Sequence, residues 1–86
     1  MAKGRLYRHD KETWEEVTSK GLKWDLRELQ TLVGCNCLEF IPVADGTLLV
    51  DQEGNPKGLP LNGELLVRYG IPFVGDGLIV RTQDIE

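Results

Sequence analysis

The chain has little histidine and cysteine, two residue types on which many catalytic and metal sites depend. It contains one histidine, His9, and two cysteines, Cys35 and Cys37, among 86 residues. Two cysteines so close together cannot form a disulfide framework, and a tetrahedral zinc site needs about four ligands. Four thiolates would require two copies of the chain, and nothing in the sequence brings His9 to a cysteine as a base. We therefore expect no catalytic residues, no cofactor and no metal site.

Long apolar runs and a basic surface are also missing. No run approaches the ~20 apolar residues of a membrane span, and no apolar segment follows Lys3, Arg5 and Arg8 as in a signal peptide. The net charge is −4. Because nucleic-acid binding needs clustered lysine and arginine, we expect a soluble, cytoplasmic protein that binds neither nucleic acid nor a membrane.

The length predicts a single domain over residues 1–86, with an N-terminal hairpin over 1–20. Small domains bury only about 60% of the surface that their unfolded chain exposes. The chain also has apolar segments at residues 38–43 and 78–80. We therefore expect a homo-oligomer, in which some of this apolar surface is buried between copies.

The most strongly predicted element is a helix over residues 26–33. Asp25 is a good N-cap, and Glu28 completes a capping box three residues later. Trp24 and Leu29 have the spacing of a hydrophobic staple, and Gly34 suits the end of the helix. The apolar face is predicted to comprise Leu26, Leu29 and Val33, with Leu32 beside them.

The rest of the chain favours strands and turns, with one further short helix. Asn62 could cap a helix over residues 63–69, which Gly70 would end. Alternating and apolar segments separated by turn residues predict three hairpins, at residues 6–18, 37–50 and 71–81. Pro42 lacks an N–H group, so it belongs either at a sheet edge or at the end of its strand. The pattern predicts an α+β fold with a small, mostly antiparallel sheet, one firm helix at 26–33 and one short helix at 63–69.

Three segments in order resemble a known family. They are LRELQTLVG at 26–34, LEFIP at 38–42 and LLVDQEGNPKGLPLN at 48–62. The series is similar to the phage and bacterial domain-of-unknown-function family 3846 and covers roughly residues 24–80. The chain departs from the family at residues 35–37, where members tend to have a glycine and an aromatic residue. The resemblance implies a small accessory protein, often carried on phages and mobile elements, and no known chemistry.

Six residues are candidates for ligand binding. The loop before the short helix offers a cation, a flexible backbone and an amide that both donates and accepts hydrogen bonds. Two arginines further along could pair with phosphates, and an aromatic ring could stack on a base. These candidates are Lys57, Gly58, Asn62, Arg68, Arg81 and Trp14. The alternative is that the loop is only a structural turn, with Asn62 as a helix cap.

Two functions are consistent with these observations. The first is a non-catalytic, phage-type accessory protein in the host bacterial cytoplasm, which antagonises host defence by sequestering a small nucleotide-type signal in a pocket between subunits. The second is a protein–protein module that binds and inhibits a host enzyme through an exposed sheet edge or an acidic face. An enzyme would require a catalytic cluster that the residue spacing does not show.

Overall fold

One antiparallel sheet and two short helices form the fold in the computed structural model, which describes residues 1–86. The five strands are β1 (Lys3–Tyr7), β2 (Trp14–Thr18), β3 (Leu38–Val43), β4 (Gly46–Asp51) and β5 (Gly77–Val80). The helices are α1 (Leu26–Val33) and α2 (Gly63–Tyr69), and a 3-10 turn spans Thr82–Asp84. The predicted α+β class and the bounds of both helices are confirmed.

The strand order in the sheet is β2-β1-β5-β4-β3, and every neighbouring pair is antiparallel. The predicted hairpins β1–β2 and β3–β4 are confirmed. The predicted third hairpin is wrong, because residues 71–74 form only a single bridge, between Val74 and Leu61. Pro72 interrupts that segment and cannot donate to a ladder. β5 pairs instead with β1 and β4, at the centre of the sheet.

Helix α1 begins and ends where its local sequence indicates. The N–H of Glu28 donates to Oδ1 of Asp25 at 2.8 Å, and the N–H of Asp25 donates to Oε1 of Glu28 at 3.3 Å. Gly34 is the C-cap. The predicted apolar face is correct for Leu29 and Val33, which are buried, but wrong for Leu26, which is 56% exposed. Leu26 is the first residue of the helix, so it lies at the end where the chain leaves the core.

Replacing Asp25 with alanine tests this cap. The variant loses the acceptor for the N–H of Glu28, and we expect the free energy of unfolding to fall by about 1 kcal/mol. Urea denaturation followed by circular dichroism measures the change. Asp10→Ala, at an exposed position in the β1–β2 turn, is the control and should alter stability by less than about 0.5 kcal/mol. Equal stabilities for wild type and Asp25→Ala would contradict the capping role.

The sheet has apolar side chains on both faces. On one face, α1 covers a cluster that contains Leu6, Trp24, Leu49 and Leu78. On the other face, α2 contributes Leu65 to a smaller cluster with these residues: Tyr7, Leu48, Val50 and Ile79. The predicted apolar segment at 78–80 is therefore explained by the core, because β5 is fully buried within one copy of the chain. It gives no support for an oligomer, which stays a prediction.

Both edges of the sheet carry features that disfavour pairing with another strand. The N–H of Gln52 donates to the carbonyl of Cys37 at 2.9 Å, so the alternation of an antiparallel ladder turns the nitrogen of Pro42 towards the free edge of β3. Pro42 therefore leaves a missing donor there. The other edge strand, β2, carries Glu15 and Glu16 side by side, and charged edge strands resist edge-to-edge association.

Neither helix is long and apolar enough to cross a membrane.

Candidate functional site

Asn62 is placed inside the protein, where it serves as a structural connector. Its side chain is fully buried, and its Nδ2 donates to the carbonyls of Tyr7 at 2.8 Å and Gly75 at 2.9 Å. Its Oδ1 accepts from the N–H of Leu65 at 3.1 Å and so caps α2. All these bonds are made within the chain, which agrees with the alternative that Asn62 is a helix cap.

Lys57 and Gly58 lie in the long turn after β4, where Lys57 forms an ion pair. Its Nζ is 2.8 Å from Oδ2 of Asp51, and the N–H of Glu53 donates to the other oxygen of Asp51 at 2.9 Å. Burial alone would raise the pKa of Asp51, but these two interactions outweigh it and the pKa is lowered. Gly58 has a φ of +70°, and nothing lies within 4 Å of the position that a Cβ would occupy, so the loop is a structural turn with one paired cation.

The ion pair predicts how stability depends on pH. Asp51 has a lowered pKa in the folded state, so its contribution is present above the unfolded pKa of about 3.9 and is lost as pH falls through the folded value. We expect Lys57→Met to lower the melting temperature at pH 7 and to lower it progressively less below pH 4. Thermal melts of both proteins from pH 7 to pH 2.5 measure this, with Lys23→Met as an exposed control. A difference that stays constant with pH would contradict the pairing.

Trp14 and Arg68 belong to one group of side chains on the α2 side of the sheet. Tyr7 and Trp14 are direct cross-strand partners. The Arg5 guanidinium lies 5.8 Å from the ring centroid of Trp14, and that of Arg68 lies 5.5 Å from the ring of Tyr7. Both distances are in the range of cation–π interactions. We call these four residues the arginine–aromatic cluster.

Carboxylates and a second tyrosine hold the two arginines in place. Arg5 forms an ion pair with Asp45, which also accepts from the hydroxyl of Tyr69 at 3.1 Å. Burial, followed by the bond to Asp45, raises the pKa of Tyr69 to about 12. Arg68 is 4.0 Å from Glu64. The charges of the cluster are therefore largely balanced. The guanidinium of Arg5 is held between the carboxylate of Asp45 and the ring of Trp14.

A cavity of about 350 Å³ is lined by residues of the β1–β2 hairpin, and Trp14 is one of them. We call it the hairpin cavity; its other lining residues are Leu6, Arg8, Lys11, Thr13 and Glu15. The volume falls within the ~300–1,000 Å³ typical of small-molecule sites. Arg8 pairs with Glu15 at 2.9 Å, whereas Lys11 forms no ion pair. Two cations and one carboxylate leave the lining with a net positive charge.

Arg81 lies away from Trp14. It is 4.0 Å from Asp84 and borders a shallow recess of about 170 Å³ together with Lys3 and Arg5. That volume is below the usual range for a small-molecule site. Of the six predicted site residues, Trp14 and Arg68 are thus joined through one cluster, and Lys57 and Gly58 lie on a separate turn. Arg81 borders this small recess and also an open one of about 420 Å³ at residues 43–46 and 82–83, and Asn62 is internal.

His9 pairs with Asp76 and makes no contact with a thiol. Its Nδ1 and its backbone N–H each lie 2.9 Å from Oδ1 of Asp76, which ties the β1–β2 turn to the start of β5. Cys35 is buried, and its thiol is 3.5 Å from the carbonyl of Cys37. Burial and then the charge of Asp51 raise the pKa of Cys35, which disfavours a reactive thiolate. No group of three or more residues that could hold a metal ion is present.

The sequence interpretation missed Arg5, Arg8 and Lys11 around Trp14. Alternation along β1 and β2 could have placed Arg5 on the same face as Trp14, because both strands and their turn were predicted. The sequence holds no comparable signal for Lys11, whose position depends on the conformation of the β1–β2 turn. The stacking of Arg68 on Tyr7 depends on the docking of α2 and has no local signal.

Comparison with known proteins gives one match. The model of a family described as a domain of unknown function, DUF3846, matches residues 5–86. This covers nearly the whole chain and extends the resemblance at residues 24–80 to the N-terminal hairpin and the C-terminal residues. No curated protein and no solved structure matches the chain.

Proposed function

The chain belongs to the DUF3846 family, whose description assigns no activity, and from that premise we propose that it is a non-catalytic binding protein for a small nucleotide-type ligand. The ligand would occupy the hairpin cavity. The observation that carries the proposal is a cavity of about 350 Å³ whose lining residues include Trp14, Arg8 and Lys11.

The chemistry of the lining suits a ligand with both a flat ring and an anionic group. The residue Trp14 is 38% exposed, and aromatic rings stack on nucleotide bases with little dependence on sequence. Lys11 has no ion-pair partner, and Arg8 still has donors beyond those that bind Glu15 and Asp76. Cations of this kind bind phosphate through charge-assisted hydrogen bonds.

The arginine–aromatic cluster supports the same assignment through preorganisation. Arg5 is held by Asp45 and contacts the ring of Trp14, so the indole has one preferred position before any ligand arrives. A binding group that is already ordered loses less conformational freedom on binding. The cluster thus stabilises the orientation of the ring, while the hairpin cavity supplies the space and the free cation.

The biological role that follows is sequestration. A small accessory protein of a phage that binds a nucleotide-type signal of its host would lower the free concentration of that signal and so antagonise host defence. This role requires affinity and abundance, but no chemical step. A second copy of the chain closing over the hairpin cavity would increase the buried surface of the ligand, as expected for a binding site between subunits.

Native mass spectrometry and calorimetry test the proposal with cyclic di-AMP, cyclic di-GMP, cyclic AMP and ADP-ribose as probes. We expect at least one probe to be retained, and Trp14→Ala to weaken its binding by roughly 5- to 150-fold, which corresponds to the ~1–3 kcal/mol of one base stacked on an aromatic ring. Lys11→Gln should weaken it as well, and Lys57→Gln is the matched control that should not. Retention of no probe, or equal weakening by the control, would overturn the proposal.

A protein–protein module remains the second candidate, and the outer side of α2 favours it. Val67 is 83% exposed and Ile71, just beyond the helix, is 51% exposed, which leaves two apolar side chains of this region in solvent. Because both sheet edges resist pairing, a protein partner would contact α2. A stoichiometric partner captured from bacterial lysate by the wild type and lost in Val67→Asp would support this candidate over ligand binding.

A further inference from the structure

The buried Asn62 is followed directly by Gly63, and an asparagine in this setting can lose its amide without an enzyme. The reaction needs the backbone nitrogen of the next residue to reach the side chain, and glycine has no Cβ to hinder that approach. The chain has three asparagines. Asn55 precedes a proline, which has no N–H group, and Asn36 precedes a cysteine, whose side chain is in the way. Asn62 is therefore the asparagine best suited to this reaction.

The reaction is a deamidation through a five-membered imide. The backbone nitrogen of Gly63 attacks Cγ of Asn62, a bond between nitrogen and Cγ forms, and the bond between Cγ and Nδ2 breaks. Nδ2 leaves as ammonia, together with the proton that the backbone nitrogen has lost. Water then opens the ring at one of its two carbonyl carbons, which leaves either aspartate or isoaspartate at position 62. One water is consumed, one ammonia is released, and nothing is oxidised or reduced.

The folded structure opposes the first step at Asn62. Its Nδ2, the leaving group, donates to the carbonyls of Tyr7 at 2.8 Å and Gly75 at 2.9 Å, and its Oδ1 accepts from the N–H of Leu65 at 3.1 Å. Its backbone carbonyl accepts from the N–H of Leu66 at 3.1 Å. Attack would make Cγ tetrahedral and move Nδ2 and Oδ1 away from these partners, so the native contacts have to break before the amide can react.

Gly63 offers no protection of its own. It is an exposed residue and the first of α2, and the N–H groups of a helix's first turn have no carbonyl partner within the helix. Nothing lies within 4 Å of the position that a Cβ would occupy at Gly63. The amide of Asn62 is therefore the protected half of the pair, and its protection is lost whenever α2 and the segment before β5 separate from β1.

The product cannot restore the native contacts. A carboxylate at position 62 has no hydrogen to donate, so its oxygens would face the carbonyls of Tyr7 and Gly75, and its charge would be buried among them. Isoaspartate would also lengthen the main chain by one carbon at the cap of α2. A chain that is modified while it is open is therefore expected not to refold.

We propose that Asn62–Gly63 is a deamidation site controlled by the fold, closed in the native state and irreversible once it has reacted in the open state. Proteins open locally and globally while they remain native on average, and chemical modification of the open chain makes such an opening permanent. The lifetime of the active protein then depends on how often α2 opens. A ligand or partner that binds the folded state would extend this lifetime by reducing the open fraction.

Incubation of the whole chain in mildly alkaline buffer, with and without guanidinium chloride sufficient to unfold it, tests the proposal. Deamidation replaces an NH₂ group with OH, and peptide mapping by mass spectrometry locates this change in mass. We expect Asn62 to react roughly 100-fold more slowly without the denaturant, because a folded domain is unfolded only about 10⁻³ of the time or less. The rate at Asn36, which is exposed in the folded protein, should differ far less between the two conditions.

Refolding and two glycine variants complete the experiment. After dilution from guanidinium chloride, the refolded fraction measured by circular dichroism should fall in step with the loss of unmodified Asn62. Gly63→Ala adds a Cβ without a clash, and in denaturant it should lose its ability to refold roughly tenfold more slowly, because that Cβ hinders the attack. Gly21→Ala, an exposed glycine that follows a lysine, is the matched control and should decay like the wild type.

Three results would overturn the proposal. The first is equal rates of modification at Asn62 in the folded and unfolded protein. The second is complete refolding of chains that carry aspartate or isoaspartate at this position. The third is decay of Gly63→Ala at the rate of the wild type.

Discussion

Replacing Asn62 with alanine is expected to lower the free energy of unfolding by roughly 3–5 kcal/mol, because several buried groups lose their partners together. The amide of Asn62 donates to the carbonyls of Tyr7 and Gly75 and accepts from the N–H of Leu65. These bonds connect β1, the segment before β5 and the start of α2. Since small domains have only about 5–15 kcal/mol of stability, the variant should melt far below the wild type.

Two further variants define what the Asn62 experiment measures. Asn62→Asp keeps an acceptor for Leu65 but loses both donors and buries a charge, so we expect it to be at least as unstable as Asn62→Ala. Asn55→Ala removes an exposed asparagine that makes no side-chain hydrogen bond and should change stability by less than about 0.5 kcal/mol. Urea denaturation gives all the values. A loss below 1 kcal/mol for Asn62→Ala would contradict the connector role.

The second large effect is expected at Gly46, the first residue of β4. A Cβ atom at this position would lie within van der Waals overlap of the carbonyl oxygen of Val80, and the backbone has a φ of +147°. The obstacle is backbone of the central strand, which cannot move aside as a side-chain tip could. We expect Gly46→Ala to cost roughly 3–5 kcal/mol, from steric overlap and from a conformation unfavourable to L-residues.

Gly58→Ala is the matched control for Gly46→Ala. Gly58 also has a positive φ, of +70°, but nothing lies within 4 Å of where its Cβ would be. Only the conformational part of the cost remains, about 1–2 kcal/mol. Thermal unfolding measures the stability of both variants. We expect Gly46→Ala alone to lose the chemical-shift dispersion of a folded protein in its NMR spectrum. Equal losses would show that contact with Val80 is unimportant.

The sequence was sufficient where short-range interactions decide the structure. Asp25, Glu28 and Gly34 lie within ten residues of each other and act on the same helix, so their pattern gave the bounds of α1. The same holds for Asn62 and Gly70 around α2. Turn residues likewise predicted the two hairpins, because a hairpin is specified by the residues at its turn and by alternation beside it.

The sequence pattern did not predict which strands, distant along the chain, pair with each other in the sheet. The segment 71–74 is apolar and followed by Gly75, yet β5 finds its partners in β1 and β4, which are tens of residues away. Local residues cannot encode that choice. The role of Asn62 was understated for the same reason, since the cap bond to Leu65 is local but the bonds to Tyr7 and Gly75 cross the fold.

The candidate site was predictable only in part. Trp14 was a candidate because an aromatic ring can stack on a base, and Arg68 and Arg81 were candidates because arginines can pair with phosphates. That Trp14 and Arg68 belong to one cluster could be recognised only from the strand order of the sheet and the docking of α2. The cations in the hairpin cavity, Arg8 and Lys11, come from the β1–β2 turn.

Because β5 lies at the centre of the sheet, the sheet cannot be completed until β5 has been synthesised. The β1–β2 and β3–β4 hairpins leave the ribosome first, but neither contacts the other within the sheet, because β5 lies between β1 and β4. Each hairpin alone has an unpaired inner edge, and isolated hairpins are marginally stable in water. The nascent chain therefore has to remain incompletely folded until residues 77–80 emerge and join the two halves in one cooperative step, which makes this period the one in which chaperones and proteases have most access to it.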